Sequence, residues 1–116
     1  MINWNNMDTL AAYAELQSVK RVNVAAAMSG QNGAERVRTY TAPIGAGLDF
    51  NYAARPVDAD ILNVLAKFAQ EAQLTQKYAA LYNGEIINTG EKRRVLHHLC
   101  RGQLGGDVIA DGVNKR

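Results

Sequence analysis

The sequence predicts an α+β fold, mostly helical, with one small two-stranded β-hairpin. Three observations carry this. Apolar residues recur at helical spacing over residues 8–29, alternate strictly over residues 48–52, and return to helical spacing from Ile61 onwards. Gly- and Pro-rich breaks at Gly30-Gln-Asn-Gly33 and Pro43-Ile-Gly-Ala-Gly47 separate these stretches. Asp58 stands as an N-cap immediately before the longest apolar stripe.

In chain order, Asp8 caps a first helix over residues 8–18, with Leu10, Tyr13, Ala14 and Leu16 at spacings compatible with one face. A second short helix covers residues 20–29 and ends at the glycines. Val37, Thr39 and Tyr40 give residues 36–41 strand character, and Leu48, Phe50 and Tyr52 line one side of a second strand over residues 47–52. Together they form a hairpin that buries only one face and must lean on helices. A helix over residues 58–72 follows, with Val57 placed to staple against Leu62 and with Leu65 central to the stripe Ile61, Leu62, Leu65, Phe68, Ala69, Ala72. Leu74, Tyr78, Leu81 and Tyr82 mark a helix over residues 74–82. Val108-Ile-Ala-Asp-Gly112 reads as a short extended piece ending in a turn, after a loop at Gly102-Gln-Leu-Gly-Gly106.

Between them lies Asn83-Gly-Glu-Ile-Ile-Asn-Thr-Gly-Glu-Lys-Arg-Arg-Val-Leu-His-His-Leu-Cys-Arg-Gly-Gln103. Asn83-Gly84 is a turn. Asn88 or Thr89 can cap a helix over residues 90–101, and with Asn88 as N-cap, Glu91 completes a variant capping box. On that helix Val95, Leu96, Leu99 and Cys100 share one arc of roughly 140°, and Arg93, Arg94, His97, His98 and Arg101 share the opposite arc. The apolar arc makes Leu96 a core position and Cys100 a buried, inert thiol. The basic arc reads as solvated, so that Arg94→Ala is expected to cost under roughly 0.5 kcal/mol.

With 116 residues the chain is at most one domain. A content of 47% hydrophobic and 21% charged residues argues against disorder. No stretch approaches the roughly 18 apolar residues of a membrane span, and the expected compartment is the cytoplasm. The lone Cys100 excludes an intrachain disulfide. Residues 1–90 carry seven Lys/Arg against eight Asp/Glu, and residues 91–116 carry six against three, so the basic excess is local to the last quarter. Without interleaved aromatic residues that excess does not make a nucleic-acid binder.

The basic arc could hold a phosphate or an acidic partner, but a solvated face explains it as well. His97 and Cys100 make at best one metal-ligand pair at helical spacing, with no second pair to complete four ligands. Gly30-Gln-Asn-Gly33 and Ile44-Gly-Ala-Gly47 lack the remainder of a phosphate loop and read as turns. Asp58 and Asp60 are explained by capping and the helix dipole. No catalytic, substrate, cofactor or metal residue is assigned.

The run Asn83-Gly84-Glu85, Ile87-Asn88, Glu91, Arg93, Val95-Leu96-His97 and Arg101 resembles a segment of the glucose-6-phosphate isomerase family, near its N-terminus. The family pattern there is roughly Asn/Ser-Gly-Glu-x-Ile-Asn-x-Thr-Glu-x-Arg-Ala-Val-Leu-His-x-Ala-Leu-Arg. Gly90 replaces the usual Thr, and His98-Leu99-Cys100 is similar to a bacterial, spirochaete-type subgroup. The likeness spans most of residues 48–112, with only the architecture agreeing before that. It implies the N-terminal segment of a larger α/β sugar-isomerase enzyme that interconverts glucose 6-phosphate and fructose 6-phosphate in glycolysis and gluconeogenesis. The reaction passes through an enediol without a cofactor, in a protein that is usually a homodimer. It also implies that the phosphate-binding loops and the proton-transfer, enediolate-stabilising and ring-opening residues fall outside these 116 residues. The expected partner is then the remainder of the isomerase chain, with the phosphosugar bound only by the full-length protein, and the segment alone is inactive. The alternative is a stand-alone helical interaction module that keeps the segment without catalysis.

Overall fold

The computed structural model describes residues 1–102 and 105–116. Among them, helices α1 (Ala11–Ser18), α2 (Val24–Ala27), α3 (Gly30–Thr39), α4 (Ala59–Glu71) and α5 (Leu74–Tyr82) combine with short strands β1 (Thr41–Gly45), β2 (Leu48–Asn51), β3 (Ile86–Asn88), β4 (Arg93–Arg94), β5 (Ile109–Ala110) and β6 (Val113–Asn114). Each strand pairs with its sequence neighbour, giving three antiparallel hairpins. The α+β class holds, with two hairpins more than expected. Among the described residues no helix is long and apolar enough to cross a membrane.

The chain divides into two compact units, Ala14–Ala66 and a second made of Met1–Tyr13 with Lys67–Arg116. In the first, Ala53, Ile61 and Val64 are the buried apolar residues. Asp58 caps α4 as expected, its carboxylate accepting the Ile61 N–H at 2.9 Å. The expected helix over residues 20–29 shrinks to α2, capped by Asn23, whose Oδ1 accepts the Ala26 N–H at 3.1 Å.

The largest departure lies between residues 30 and 41. The sequence assigns a turn and then a strand, whereas α3 occupies all but the last two residues of that stretch. Gly30 opens α3 at φ 60°, a left-handed conformation that glycine adopts freely. Gly33 is present for another reason. A Cβ there would lie 2.1 Å from the Met28 carbonyl oxygen, so only glycine lets the first turn of α3 pass so close to the preceding backbone. Glu35 pairs with Arg38 at 2.8 Å, and Thr39 returns its hydroxyl to the Glu35 carbonyl at 3.0 Å, which offsets the weak helix propensity of Val37 and Thr39.

Helical geometry also aims Arg36. Its Nε donates to the Ala53 carbonyl at 2.6 Å, its Nη2 donates to the carbonyls of Arg55 (2.9 Å) and Val57, and its guanidinium lies 4.2 Å from the centre of the Tyr40 ring. The hairpin then starts five residues later than expected. Thr41 faces Asn51 and Ala42 faces Phe50, a bulge sets Ile44 and Gly45 together against Leu48, and Ala46-Gly47 closes the turn with both residues at positive φ.

Among the described residues of the second unit, Ala12, Ala80, Val108 and Ala110 are the buried apolar ones. Asp8 falls in a single 3-10 turn over Met7–Thr9 and does not cap α1. The free N–H of Ala12 is met by the Glu71 carboxylate of α4 at 3.0 Å. Gln73, at φ 52°, separates α4 from α5 and accepts the Asn3 N–H at 2.6 Å, while Lys77 lies 5.4 Å from the Trp4 ring centre. α5 spans the expected residues. Asp111-Gly112, both at positive φ, close the β5–β6 hairpin in the place where the sequence reads a turn. The expected loop at residues 102–106 falls partly on Gln103 and Leu104, outside the described residues.

Leu65 is 36% exposed and is not the core centre that its stripe suggested; the inward positions of α4 are Ile61 and Val64. In urea titrations Leu65→Ala should therefore cost about 1 kcal/mol and Ile61→Ala about 2–4 kcal/mol. Arg36→Ala, which leaves the Ala53 and Val57 carbonyls without this donor, should cost about 2–4 kcal/mol.

Candidate functional site

The stretch singled out in the sequence begins where α5 ends. Asn83 caps the helix and Gly84 follows at φ 71°, buried. Glycine is required there twice over. The left-handed backbone favours it, and a Cβ would meet Val108 Cγ1 at 2.5 Å and Leu96 Cδ2 at 3.3 Å. Leu96 is half-buried and thus packs inward as expected, though not from a helix.

No helix spans residues 90–101. β3 and β4 pair with Ile86 opposite Arg94 and Asn88 opposite Arg93, and residues 89–92 form the turn between them. One half of the expected Asn88–Glu91 exchange forms, and the other is replaced: the Glu91 carboxylate meets the Asn88 side-chain amide and not its backbone N–H. The Glu91 N–H donates to Asn88 Oδ1 at 3.1 Å and Asn88 Nδ2 donates to Glu91 Oε2 at 3.2 Å. It closes a hairpin instead of starting a helix, and Lys92 at φ 54° completes the reversal. A helical continuation would have to break this pairing and withdraw Arg94 from its partners. Of the expected helix one 3-10 turn, His97–Cys100, remains.

The two arcs of the imagined helix are accordingly dispersed. Arg93 is exposed and lies 3.8 Å from the Glu91 carboxylate. Arg94 turns inward, its side chain 26% exposed, with Nη1 donating to the Gly84 carbonyl and Nη2 bonded to Asp111 Oδ1 at 3.1 Å. It is a structural partner and not a solvated charge, which corrects the sequence reading. His97 and Arg101 are exposed. His98 lies with its ring centre 4.7 Å from that of Tyr82 and its Nε2 3.2 Å from the Tyr82 carbonyl; its Nδ1 is buried without a partner. Cys100 is exposed, contrary to the expected buried thiol. The physical reason is the same for both corrections: without a helix, the 3.6-residue period that sorted these side chains into arcs does not apply.

Among the described residues no group of three or more His, Cys, Asp or Glu is placed to hold a metal ion. A cleft of about 710 Å³ in the first unit, lined by Leu16, Gln17, Val19, Arg21, Val22, Pro56 and Ile61, contains one charged side chain and no carboxylate. The arrangement at residues 83–101 is therefore a packed hairpin and turn, tied by Arg94 to the β5–β6 turn. The sequence reading missed both Asp111 as a partner of Arg94 and Arg36 as a carbonyl clamp. For Asp111 the only available signal was an Asp-Gly turn pair; a contact 17 residues away carries no local signature.

The family profile described as phosphoglucose isomerase matches residues 51–116. The chain is 48% identical over 109 residues to the glucose-6-phosphate isomerase of Treponema pallidum, covering 94% of this chain and 20% of that protein. It is 41% identical over 120 residues to that of Treponema denticola, covering 99% and 23%. A third relative, the isomerase of Shewanella denitrificans, is 46% identical over 68 residues, covering 59% and 12%. The chain thus spans about a fifth of the length of the spirochaete relatives it matches, and the likeness extends well upstream of residue 48.

Arg94→Ala should lower stability by about 1–3 kcal/mol, because it leaves the Gly84 carbonyl and Asp111 without their donor. Asp111→Asn, at an exposed site, should cost under about 1 kcal/mol. Paired urea titrations read both values; a loss under about 0.5 kcal/mol for Arg94 would restore the solvated-face reading.

Proposed function

The chain belongs to the phosphoglucose isomerase family, and from that premise we propose that it is the N-terminal segment of an enzyme interconverting glucose 6-phosphate and fructose 6-phosphate. The observation that carries this is the 48% identity maintained over 94% of the chain against one fifth of a glucose-6-phosphate isomerase. The proposed setting is cytoplasmic glycolysis and gluconeogenesis, with the whole enzyme a homodimer and the remainder of the isomerase polypeptide the immediate partner of this segment. Its two units act as one segment in that polypeptide.

In this reading the segment supplies scaffold and no reacting group. Aldose-ketose isomerisation needs a base within hydrogen-bond reach of the carbon-bound proton, a cation where the enediolate charge develops, and several donors on the phosphate. Arg36 and Arg94, the two arginines with the most extensive partners described above, are committed to backbone carbonyls and to Asp111. Arg38 and Arg93 stand beside Glu35 and Glu91. These are structural uses of charge. The stand-alone interaction module draws no support from the relatives, each of which is named as an isomerase.

A coupled assay, on protein purified from a host lacking its own isomerase, tests the proposal. Residues 1–116 alone should give no conversion above buffer, and the same residues joined to the rest of an isomerase should turn over. Activity of the short chain that follows its elution peak would overturn the scaffold assignment.

A further inference from the structure

The β1–β2 hairpin carries apolar side chains that nothing in its own unit covers. Leu48, Phe50 and Tyr52 alternate onto one face, Ala42 lies opposite Phe50, and the bulge brings Ile44 beside Leu48. The inner end of this face is used: Tyr52 lies 5.1 Å from the Tyr40 ring and 6.0 Å from that of Phe50. The outer end is bare, with Ile44 63%, Leu48 61% and Phe50 47% exposed. It runs into a pocket of about 320 Å³ lined by Phe50, Tyr52, Arg55, Val57 and Leu62. Neighbouring bare apolar side chains leading to an apolar pocket have the composition of an interface centre and not of a solvated surface.

We propose that the outer face of the β1–β2 hairpin, Ile44, Leu48 and Phe50, is the docking surface on which the remaining polypeptide of the isomerase packs an apolar segment. This rests on the isomerase reading, and two quantities support that occupant. The relatives are about five times as long as this chain, so most of the polypeptide in which such a segment works lies elsewhere. The chain exposes 8818 Å², whereas two wholly separate compact bodies, each of half its mass, would together present about 7,500 Å². The surplus is on the order of the 1,000 Å² or more that one partner gives to an obligate interface.

The test places Ile44→Lys and Leu48→Lys, singly, in two settings. One is the 116-residue chain alone, and the other is the same chain grafted in place of the matching stretch of the Treponema denticola isomerase. Asp49→Lys, on the opposite face of β2, is the control. In the chain alone the substitutions should shift Tm by less than about 3 °C, and in the graft Ile44→Lys and Leu48→Lys should lower Tm by at least about 5 °C while Asp49→Lys does not. Equal shifts in both settings, or a large loss in the chain alone, overturn the docking face; if the unsubstituted graft remains an active isomerase, the family function stands regardless. An unsubstituted graft that is folded but inactive, or that fails to fold, overturns the isomerase reading and the docking face with it. Sedimentation of the chain alone as a dimer that Leu48→Lys dissolves overturns the proposal in favour of a self-interface.

Discussion

Arg36 holds three backbone carbonyls that have neither strand nor helix to pair with. Residues 53–57 run between β2 and α4 without a ladder of their own, and a carbonyl left unpaired away from water is costly. The guanidinium offers several donors in a fixed plane, which suits it to several acceptors along one irregular stretch. For the clamp to form, residue 36 must lie on a helix turned towards that stretch. α3, the exit from β2 and the start of α4 are thus fixed together by one side chain. Arg94 repeats the solution in the other unit, tying the Gly84 turn to Asp111. Both units have thin apolar cores, and among the described residues no large side chain is fully buried. Polar clamps at defined positions take on correspondingly more of the task of specifying a single arrangement.

What could be read from the sequence follows from how local each signal is. The Asp58 cap and the helix after it were legible because cap and stripe lie within a few residues of each other. α5 was legible to its ends for a similar reason. Residues 36–41 were misread because their alternation and β-branched residues are a weak preference, and a contact 17–21 residues away overrode it. Glycines misled in the same way. Gly33 resembles a breaker in the sequence, yet it sits inside a helix because another backbone needs its missing Cβ.

The motif stretch separates two kinds of legibility. Its resemblance to the isomerase family is borne out by the family profile and by identity along nearly the whole chain. Its local structure was nevertheless misread, although the Glu91 N–H bond to the Asn88 side chain was anticipated. A residue pair spaced three apart with amide and carboxylate groups closes a reversal as well as it opens a helix; what selects between them here is the pairing of β3 with β4 and the pull of Gly84 and Asp111 on Arg94. The basic residues that invited a ligand reading were grouped only by an assumed helical period. Once that period is lifted they have separate surroundings, and the grouping disappears with it.

The exposed apolar residues extend this argument to the chain as a whole. A composition of 47% hydrophobic residues led to the expectation of an ordinary core, yet the buried set is largely alanine, and larger side chains stand outside. On α5 the stripe Leu74, Tyr78 and Tyr82 recurs every four residues and faces outward, whereas the inward position is Ala80. Periodicity therefore located a real apolar face and assigned it the wrong cover. A sequence pattern records which face is to be buried without saying what buries it, and selection acts on the polypeptide in which the segment works. An apolar stripe left uncovered within one unit carries the same information as one that is covered: it marks an apolar face, here one that the unit's own residues leave bare.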